Sequence, residues 1–398
     1  MTQDLLLKNV RPRGGDAADI LIRAGRIEPI APGIGAPDLP VEDGAGAIAI
    51  PGLVEAHTHL DKTVMGMGWY RNAVGTDLRA MIDNERAERT RLSLDPHRQS
   101  MRHALALVGA GCTHMRSHVD IDTDHGLTIL EGVLSTREKL AGQVEIEIVA
   151  FPQSGLLCRP GTLDLLDAAL DSGADLVGGL DPAGIDRDPK GHIDAIFELA
   201  EKKGRGIDIH LHEPGELGAF SLEMIIERTA ALGLQGKVAV SHAFCLGMND
   251  WHRTEALIAR LADLDIAILT TGAPSREVPQ VTRLQDAGVR MGAGCDGVRD
   301  TWSPLNRPDM LDRARIIAMR NNLRSDADLA RVMDLVTVGG AAVIGLPGHG
   351  LAPGSSADIA LVAGETLAEA VVSDAPRPLV IKAGRITARA GHSLTEAP

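Results

Sequence analysis

Eight short apolar runs, each ending in a polar residue, recur along the middle of the chain. They end near His57, His118, Gln153, Asp181, His210, His242, Thr271 and Asp296. After the first, successive ends lie roughly 25–35 residues apart, a plausible length for one β-loop-α-loop unit. The segments between them, such as 192–204 and 222–234, carry apolar residues at helical spacing and stop at or near Gly. Eight such units predict an α/β fold, a closed (β/α)8 barrel of the TIM type.

The two ends of the chain resemble each other and predict a second, smaller unit. Residues 20–28 (ILIRAGRIE) and 379–387 (LVIKAGRIT) are each β-rich around an A-G-R-I turn, and 357–362 (ADIALV) adds a short strand. We predict a small β-sandwich module assembled from both termini; the alternative is two unrelated edge hairpins. The predicted units are the N-terminal part of the module (1–50), the barrel (51–349) and the C-terminal part of the module (350–398). A barrel of ~250 residues plus a small module accounts for the 398 residues.

The formal net charge of −14 limits the class of partner. A nucleic-acid-binding chain would need a basic stripe, and an anionic membrane surface would repel this charge. No stretch reaches the ~20 apolar residues of a membrane span, and the start, MTQDLLLKNV, has no basic segment followed by a long apolar run. The four Cys form no C-x-x-C pair, so they indicate neither a disulfide framework nor a Cys-type zinc site. We expect a cytoplasmic protein with a small-molecule substrate and no nucleic-acid or membrane partner.

The gap between His57 and His118 is longer than the other intervals. Residues 61–95 within it are polar and charged. A segment that folds over the barrel mouth and an ordinary solvated surface helix both fit this composition.

His57 and His59 lie two apart in PGLVEAHTHLDKT (51–63), so both rings face the same side of a strand. Strand rise places their Cα atoms roughly 6.6 Å apart, a spacing from which two imidazoles can converge on one metal. Neutral nitrogen ligands suit Zn or Fe(II). An isolated H-x-H is a weak signal, but the apolar strand before it and Asp61 and Lys62 after it strengthen the prediction.

The segment GIDIHLHEPGE (206–216) offers two histidines of the same strand parity, His210 and His212, and the residues alone leave the choice between them open. Glu213 could carry protons from a water bound to the metal. A pair of satisfied surface histidines is the alternative.

His242 ends the strand predicted in VAVSHAF (238–244), and Asp296 follows an apolar and glycine run at the predicted eighth strand. His242 could stabilise the attacking hydroxide or the developing tetrahedral centre, although a lone histidine is more often structural. Asp296 could be a one-oxygen metal ligand and a base for the bound water, although a helix N-cap is common at such a position. Because residues of this kind end several strands of one barrel, the set predicts a metal-dependent hydrolase in which the metal lowers the pKa of water from 15.7 toward ~7.

Seven segments occur in an order that resembles a known family. They are PGLVEAHTHLDKT (51–63), RSHVDID (116–122), VAFPQSG (149–155), DLVGGLDPA (175–183), IDIHLHEPG (207–215), SHAFCLG (241–247) and CDGVRDTWSPL (295–305). They are similar to the cytosine deaminase and N-isopropylammelide amidohydrolase group of the amidohydrolase superfamily. The resemblance covers nearly the whole chain, including the split β module.

The resemblance implies one divalent metal per chain, Zn or Fe(II), without a carboxylated lysine bridge. The ligands that it implies are His57, His59, His210 and Asp296. It favours His210 over His212, since the family's ligand precedes its catalytic acid by three residues. It implies that Glu213 is the proton shuttle, that His242 is the electrostatic partner of the attacking hydroxide, and that Gln153 hydrogen-bonds the substrate ring. It also implies a homo-oligomer.

The chain departs from this group at two places that bear on the substrate. Gly297 stands where members of the group carry an acidic residue or Asn, so a substrate contact is missing or supplied elsewhere. The segment 181–188 (DPAGIDRD), which begins with Asp181, differs from that of typical cytosine deaminases and resembles the triazine-type enzymes only in its first residues, GGLDPA. It follows the fourth strand, where substrate-facing loops are expected. Asp300 and Trp302 are further candidates to line the pocket, with packing against the barrel top as the alternative for Trp302.

The predicted reaction is hydrolytic removal of an exocyclic amino or alkylamino group from a small nitrogen heterocycle. The first alternative is hydrolysis of a cyclic amide, as in hydantoinase or dihydroorotase. Such enzymes use a lysine at the fourth strand to bridge two metals, and that strand ends here in GGLDPA. The second alternative is an inactive scaffold of the same fold.

Overall fold

The computed structural model describes residues 3–274 and 276–397. The strands in chain order are β1 (Leu5–Pro12), β2 (Ala18–Arg23), β3 (Arg26–Ala31), β4 (Val41–Asp43), β5 (Ile48–Pro51), β6 (Leu53–Thr58), β7 (Cys112–Asp120), β8 (Glu145–Phe151), β9 (Leu176–Leu180), β10 (Gly206–His210), β11 (Val238–Ser241), β12 (Ala267–Thr270), β13 (Met291–Ala293), β14 (Ile359–Val362), β15 (Leu379–Lys382), β16 (Arg385–Arg389) and β17 (His392–Ser393). The helices are α1 (Leu78–Arg91), α2 (Pro96–Gly109), α3 (Thr128–Lys139), α4 (Thr162–Asp171), α5 (Pro189–Lys203), α6 (Gly215–Ala231), α7 (Trp251–Asp263), α8 (Val281–Asp286), α9 (Met310–Arg320), α10 (Asp326–Leu335), α11 (Val338–Val343) and α12 (Leu367–Val372), with a 3-10 turn at Phe244–Gly247.

The predicted barrel is confirmed. Strands β6 to β13 form one sheet in chain order, and each neighbouring pair runs parallel. The ring closes where Thr58 and Asp296 form a parallel bridge and the Asp296 amide donates to the His57 carbonyl at 2.9 Å. The carboxyl ends of all eight strands therefore share one mouth, which is where barrel enzymes carry their active sites.

Local sequence explains where the barrel helices begin and end. Asp95 and Asp188 cap α2 and α5 through their side chains, and each is followed by proline at the first helical position. Gly204 ends α5 in the left-handed conformation at a φ of 64°. The helical spacing of apolar residues in 222–234 indicates only the C-terminal part of α6. The helix begins seven residues earlier, at Gly215, where glycines interrupt the apolar periodicity.

The terminal segments form a single unit, so the alternative of two unrelated hairpins is wrong. The sheet order is β17-β16-β15-β14-β5-β1-β2-β3, with β4 paired to β1. The N- and C-terminal parts meet where β14 runs antiparallel to β5. Apolar residues of both parts, among them Leu7, Ile20 and Ile359, pack into one separate core. The boundaries predicted for the three units remain a prediction. Strand β5 of the module ends at Pro51, one residue beyond the predicted boundary at 50.

The segment 61–95 packs on the barrel mouth through one face of α1. Glu85 and Arg89 of α1 are buried, and Arg89 Nη2 donates to Asp61 Oδ2 at 2.6 Å. Ile82 packs against Phe151, at the end of β8, in a small apolar cluster. The interpretation as an ordinary solvated surface helix is therefore wrong for this face. Within the described ranges, no helix has both the length and the apolar character that crossing a membrane requires.

Candidate metal centre and active site

His57 and His59 lie on β6 and at its carboxyl end, and both are buried. His57 Nδ1 lies 2.8 Å from the Ser241 hydroxyl, which itself donates to Asp208 Oδ1 at 2.7 Å. Because the hydroxyl proton of Ser241 is donated to the carboxylate, its oxygen accepts a hydrogen bond from His57 Nδ1–H. Nε2 of His57 therefore keeps its lone pair. His59 reaches the same state, since its Nδ1 lies 3.1 Å from the His118 carbonyl, which can only accept. Each ring therefore offers Nε2 as a metal ligand.

The atoms of the four predicted ligands converge. His210 Nε2 at the end of β10 lies 3.4 Å from His59 Nε2. Asp296 Oδ1 lies 3.3 Å from His59 Nε2 and 3.7 Å from His57 Nε2. Ligand atoms at the usual ~2.0–2.1 Å from a tetrahedral zinc ion lie roughly 3.3 Å from one another, so this spacing fits one metal ion.

The electrostatics of the cluster also fit a cation. Burial lowers the pKa of His59 and lowers that of His210 well below the ordinary value, with Lys62 adding to the effect at His59 and His118 at His210. Burial alone would raise the pKa of Asp296, but the rings of His57 and His59 beside its carboxylate hold it well below the ordinary value. Neutral imidazoles and an ionised carboxylate are the protonation states that bind metal. His57 Nε2 is buried and has no hydrogen-bond partner in the described part of the chain, which a metal ion would provide.

Three strand-end residues of this mouth adopt the left-handed backbone conformation that is rare outside glycine. They are Asp181 (φ 36°), His242 (φ 69°) and Asp296 (φ 63°). Asp and His tolerate this region better than branched residues do, yet it still costs energy unless the surroundings impose it. Such strain is concentrated at functional sites. Here the strained residues follow the ends of β9, β11 and β13.

Glu213 lies three residues after His210 and is fixed by a loop of the neighbouring strand. Its Oε1 accepts from the amides of Ala183 and Gly184, both at 2.8 Å, and its Oε2 accepts from the Ser221 hydroxyl. Burial raises the pKa of Glu213, while the bond from Ser221 works in the opposite direction. A carboxylate with a raised pKa is suited to take up and release a proton near neutral pH.

His242 and His212 stack beside the metal cluster at a centroid distance of 4.3 Å. His242 is buried, and neither of its ring nitrogens has a hydrogen-bond partner among residues 3–274 and 276–397. His212 is held differently, because Asp181 Oδ2 lies 2.7 Å from its Nδ1 and Asp181 Oδ1 accepts from its amide at 2.6 Å. These contacts direct Asp181 to His212, and the predicted contact of Asp181 with substrate stays a prediction.

Lys62 and Gln153 contact each other at the mouth, beyond the ends of β6 and β8. Gln153 follows β8, where the Phe151 ring stacks on His210 at a centroid distance of 4.1 Å. Lys62 Nζ donates to Gln153 Oε1 at 3.0 Å and lies 5.9 Å from the Trp302 ring. Lys62, Gln153 and Phe151 are buried, while Trp302 is half-buried.

Asp300 occupies the space left open by Gly297. Its Oδ1 accepts from the amides of Trp302 and Ser303 at 2.8 and 2.9 Å. A Cβ added to Gly297 would lie only 1.8 Å from Asp300 Oδ2. A side chain at 297 and this position of the Asp300 carboxylate therefore exclude each other. Burial raises the pKa of Asp300 to about 6.

Several side chains of the site were not identified in the sequence analysis. Ser241 and Asp208 orient His57, and Glu85 and Asp120 hold Lys62. A signal was available for Asp208, since a charged residue inside the apolar run of β10 and two residues before His210 faces the same side of the strand. For Glu85 no signal was available, because its partners are distant in sequence.

Comparisons with known proteins identify the family of the chain. A profile of the Amidohydrolase family matches residues 41–388. The chain is 31% identical over 391 residues to N-isopropylammelide isopropyl amidohydrolase of Pseudomonas sp. (strain ADP), covering 96% of both chains. The crystal structure of N-isopropylammelide isopropylaminohydrolase from Burkholderia multivorans ATCC 17616 is 53% identical, with a TM-score of 0.95 over 99% of this chain and all of that chain. The structure of 5-methylcytosine deaminase from Klebsiella pneumoniae with 5-fluorocytosine is 27% identical, with a TM-score of 0.84 and 96% of each chain covered. This chain belongs to the amidohydrolase family.

Proposed function

We propose that this protein is a metal-dependent hydrolase that removes an exocyclic amino or alkylamino group from a small nitrogen heterocycle. One observation carries the proposal: imidazole nitrogens of His57, His59 and His210 converge with an Asp296 oxygen at the mouth of a barrel that also holds Glu213. The reactions named for the similar proteins, aminohydrolysis of N-isopropylammelide and deamination of 5-methylcytosine, support the same class.

The donor set favours one divalent metal ion, Zn or Fe(II), because it combines three neutral nitrogens with one carboxylate oxygen. His57, His59, His210 and Asp296 would hold the ion. When bound, it would supply a water of lowered pKa and polarise the ring carbon that is attacked.

The chain's own residues would move the protons. Glu213 takes the proton from the attacking water and delivers it to the nitrogen that leaves, since a neutral amine is a far better leaving group than its anion. The two amides and the hydroxyl that bind Glu213 keep its carboxylate in one place during this transfer. His242 offers a ring nitrogen, without a partner among the described residues, to the oxygen that develops charge during the attack.

The two alternative functions have less support. A bridging lysine would be expected at the end of β9, but that strand contains only Leu, Val and Gly and is followed by Asp181. An inactive scaffold would have no need of the matched ligand spacing or of the orienting chain from Asp208 through Ser241 to His57.

The test is to load the purified protein with Zn or Fe(II) and to assay pyrimidines, s-triazines and cyclic ureas for released ammonia or alkylamine. Metal analysis accompanies the assay. We expect about one metal ion per chain and turnover of at least one aminated ring. Two metal ions per chain with ring opening would favour the cyclic amide hydrolase, and bound metal without any turnover would contradict both reactions.

The remaining expectations concern partners and location. A net charge of −14 supports a small heterocyclic substrate rather than nucleic acid or an anionic membrane. A homo-oligomer and a cytoplasmic location stay predictions, which light scattering after size-exclusion chromatography and cell fractionation would test.

A further inference from the structure

A cavity of about 240 Å³ lies between α1 and the loops that follow β8 and β9. Its lining contains three arginines, Arg79, Arg86 and Arg159, and one acidic residue, Asp83. This excess of positive charge is unexpected in a chain whose net charge is −14. Since a water molecule takes about 30 Å³ in the liquid, the cavity has room for several waters or for a small oxyanion with waters around it.

A second arginine-rich cavity, between α9 and α12, shows what a charge-balanced lining looks like. Three arginines and three aspartates line it, and each arginine has its own carboxylate: Arg307 with Asp374 at 3.4 Å, Arg315 with Asp312 at 2.5 Å, and Arg377 with Asp309. Such a lining is neutral and leaves little charge for an ion from solution. The lining beside α1 has one carboxylate for three guanidiniums, so a negative charge is missing there.

The arginines beside α1 keep donors that the protein does not use. Arg79 Nη2 donates to the Ile185 carbonyl at 2.9 Å, but a guanidinium carries five N–H groups. Arg86 Nη2 donates to Asp124 Oδ2, whereas Arg86 Nε is buried and has no hydrogen-bond partner in the described part of the chain. A buried donor without an acceptor costs free energy, so these donors call for the oxygen atoms of a ligand.

The charges of the three arginines reach the same place. The hydrogen bond from Arg86 lowers the pKa of Asp124, and Arg159 adds to this through its charge. Burial raises the pKa of the Cys158 thiol, and the charges of Arg79 and Arg159 oppose that rise. Because Cys158 itself lines the cavity, the guanidiniums can act together on an ion bound there.

Asp186, which contacts the Cys158 thiol, is already used by other donors. Its oxygens accept from the amides of Leu156, Leu157 and Cys158 at 3.1, 3.0 and 3.1 Å, and Oδ2 lies 2.6 Å from His192 Nδ1. Four donors match the roughly four lone-pair sites of a carboxylate. Asp186 therefore does not take the place of the missing anion.

We propose that this cavity is an oxyanion site, in which Arg79, Arg86 and Arg159 bind a phosphate, sulfate or carboxylate group. Guanidiniums suit these groups because their planar fork of donors matches two oxygens at once. A free ion and an acidic group on the substituent of a ring substrate offer the same chemistry. Only the second source rests on the proposed function.

The position of the site gives the ligand a structural role. Ile82 of α1 and Ile185 of the loop after β9 belong to its lining, and both pack in the apolar cluster that contains Phe151 at the end of β8. An anion that bridges arginines of α1 and of the β8 loop therefore fastens the helix to the barrel mouth.

The thiol of Cys158 reports on occupancy of the cavity. Cys158 is exposed and the other three cysteines are buried, so a neutral maleimide should label it first. A bound anion both blocks the thiol and disfavours its thiolate. With a Kd of about 1 mM, phosphate at about 10 mM should slow labelling of the zinc-loaded protein about tenfold at fixed pH. Sodium chloride of equal ionic strength sets the reference rate, and Cys158→Ser verifies the labelled position.

Substitutions then assign the protection to the arginines, with the rates with and without phosphate compared within each variant. Arg159→Gln removes charge-assisted hydrogen bonds and should weaken phosphate binding at least about tenfold, so that protection falls to about twofold or less. Arg159→Lys keeps the charge without the fork and should retain part of the protection. Arg315→Gln, in the charge-balanced cavity, is the matched control and should keep the full protection.

A second arm distinguishes the two sources of the anion. A ring with a carboxyalkylamino group and a ring with an alkylamino group of the same length are compared on zinc-loaded Glu213→Gln protein, in which turnover is blocked. Protection of Cys158 by the acidic ring, but not by phosphate, assigns the site to a substrate group. Protection by phosphate assigns it to a free ion, and this result stands even if no ring is turned over.

Zinc content and melting temperature establish that each variant is folded and loaded, and Arg79→Gln serves if Arg159→Gln fails to fold. Protection that persists in full after loss of the arginine would overturn the inference, because the phosphate would then be bound elsewhere, as at the metal centre. The inference also fails if neither phosphate nor the acidic ring slows the labelling of Cys158.

Discussion

The proposed metal-binding side and the proposed substrate-binding side of the mouth are built in different ways. The proposed ligands His57 and His210 lie within barrel strands, and Ser241 of another strand contacts His57. Lys62 and Gln153 lie in loops beyond the strands and depend on α1, which belongs to no repeat of the barrel. The strands form a rigid frame, whereas loops at the same end can be replaced without disturbing it.

The comparison implies that the chemistry and the choice of substrate are separately encoded. Changes on the strand side should alter metal binding or turnover for every substrate. Changes on the loop side should alter the ratio between substrates while metal binding is kept. The predictions that follow test this division, beginning with the largest effect.

Glu213→Gln should abolish turnover with metal still bound. The amide keeps the size of the side chain but cannot take up the proton, and loss of a general acid–base group typically costs 10²–10⁴-fold in rate, so we expect about 10³-fold or more in kcat. Stopped assays of amine release and metal analysis on the same preparation measure both quantities. If activity survives within tenfold, the proton passes through another group and the proposed mechanism is wrong.

Ser241→Ala should weaken metal binding by roughly 10–100-fold, the usual effect of removing a group that orients a metal-binding histidine. The substitution leaves His57 Nδ1 without its acceptor and Asp208 Oδ1 without its donor. Competition with a zinc chelator measures the affinity. Ser172→Ala, in which an exposed hydroxyl that bonds only the carbonyl of Ala168 is removed, is the control. Equal affinities would show that Ser241 does not orient the ligand.

The strand side was largely predictable from the sequence, and the loop side was not. Apolar runs that end in His or Asp at regular intervals locate His57, His210 and Asp296, because a parallel barrel brings all its strand ends to one mouth. The same reasoning could not choose between His210 and His212, which share strand parity. In the structure the His210 ring lies against His59, whereas His212 contacts Asp181, and this difference supports the predicted choice of His210.

The cluster around Lys62 shows why the remainder could not be predicted. Glu85 and Asp120 lie 23 and 58 residues after Lys62 in the sequence, and no periodicity links them. Their meeting depends on how α1 packs over the ends of β7 and β8, which is a tertiary property. The departure at Gly297 was visible, but the space that it opens for Asp300 was not.

Gly297→Ala should change substrate preference and leave metal binding intact. The new methyl group would displace Asp300 Oδ2, from which a Cβ at this position would lie 1.8 Å away. Since that carboxylate oxygen is the flexible end of a side chain, the protein should fold, and kcat/KM should fall by roughly tenfold for rings that donate to Asp300. Gly35→Ala, with open space around it, is the control. A uniform loss across all rings, or a loss of zinc, would argue against the separation of the two sides.

Ser221→Ala should give the smallest effect, a shift of the acid limb of the pH profile without a change in the plateau. Glu213 must be ionised to accept a proton, and the Ser221 hydroxyl stabilises its ionised form. Removing that bond raises the pKa of Glu213 further, because a hydrogen bond to the ionised form is lost. The enzyme then loses activity at a higher pH on acidification, while at higher pH Glu213 is ionised in both proteins and kcat/KM is the same. Ser135→Ala, on the exposed side of α3, should leave the limb unchanged. An acid limb that does not move would mean that the ionisation of Glu213 does not set this limb. A fall in the plateau would mean that Ser221 acts on the position of the Glu213 carboxylate rather than on its charge.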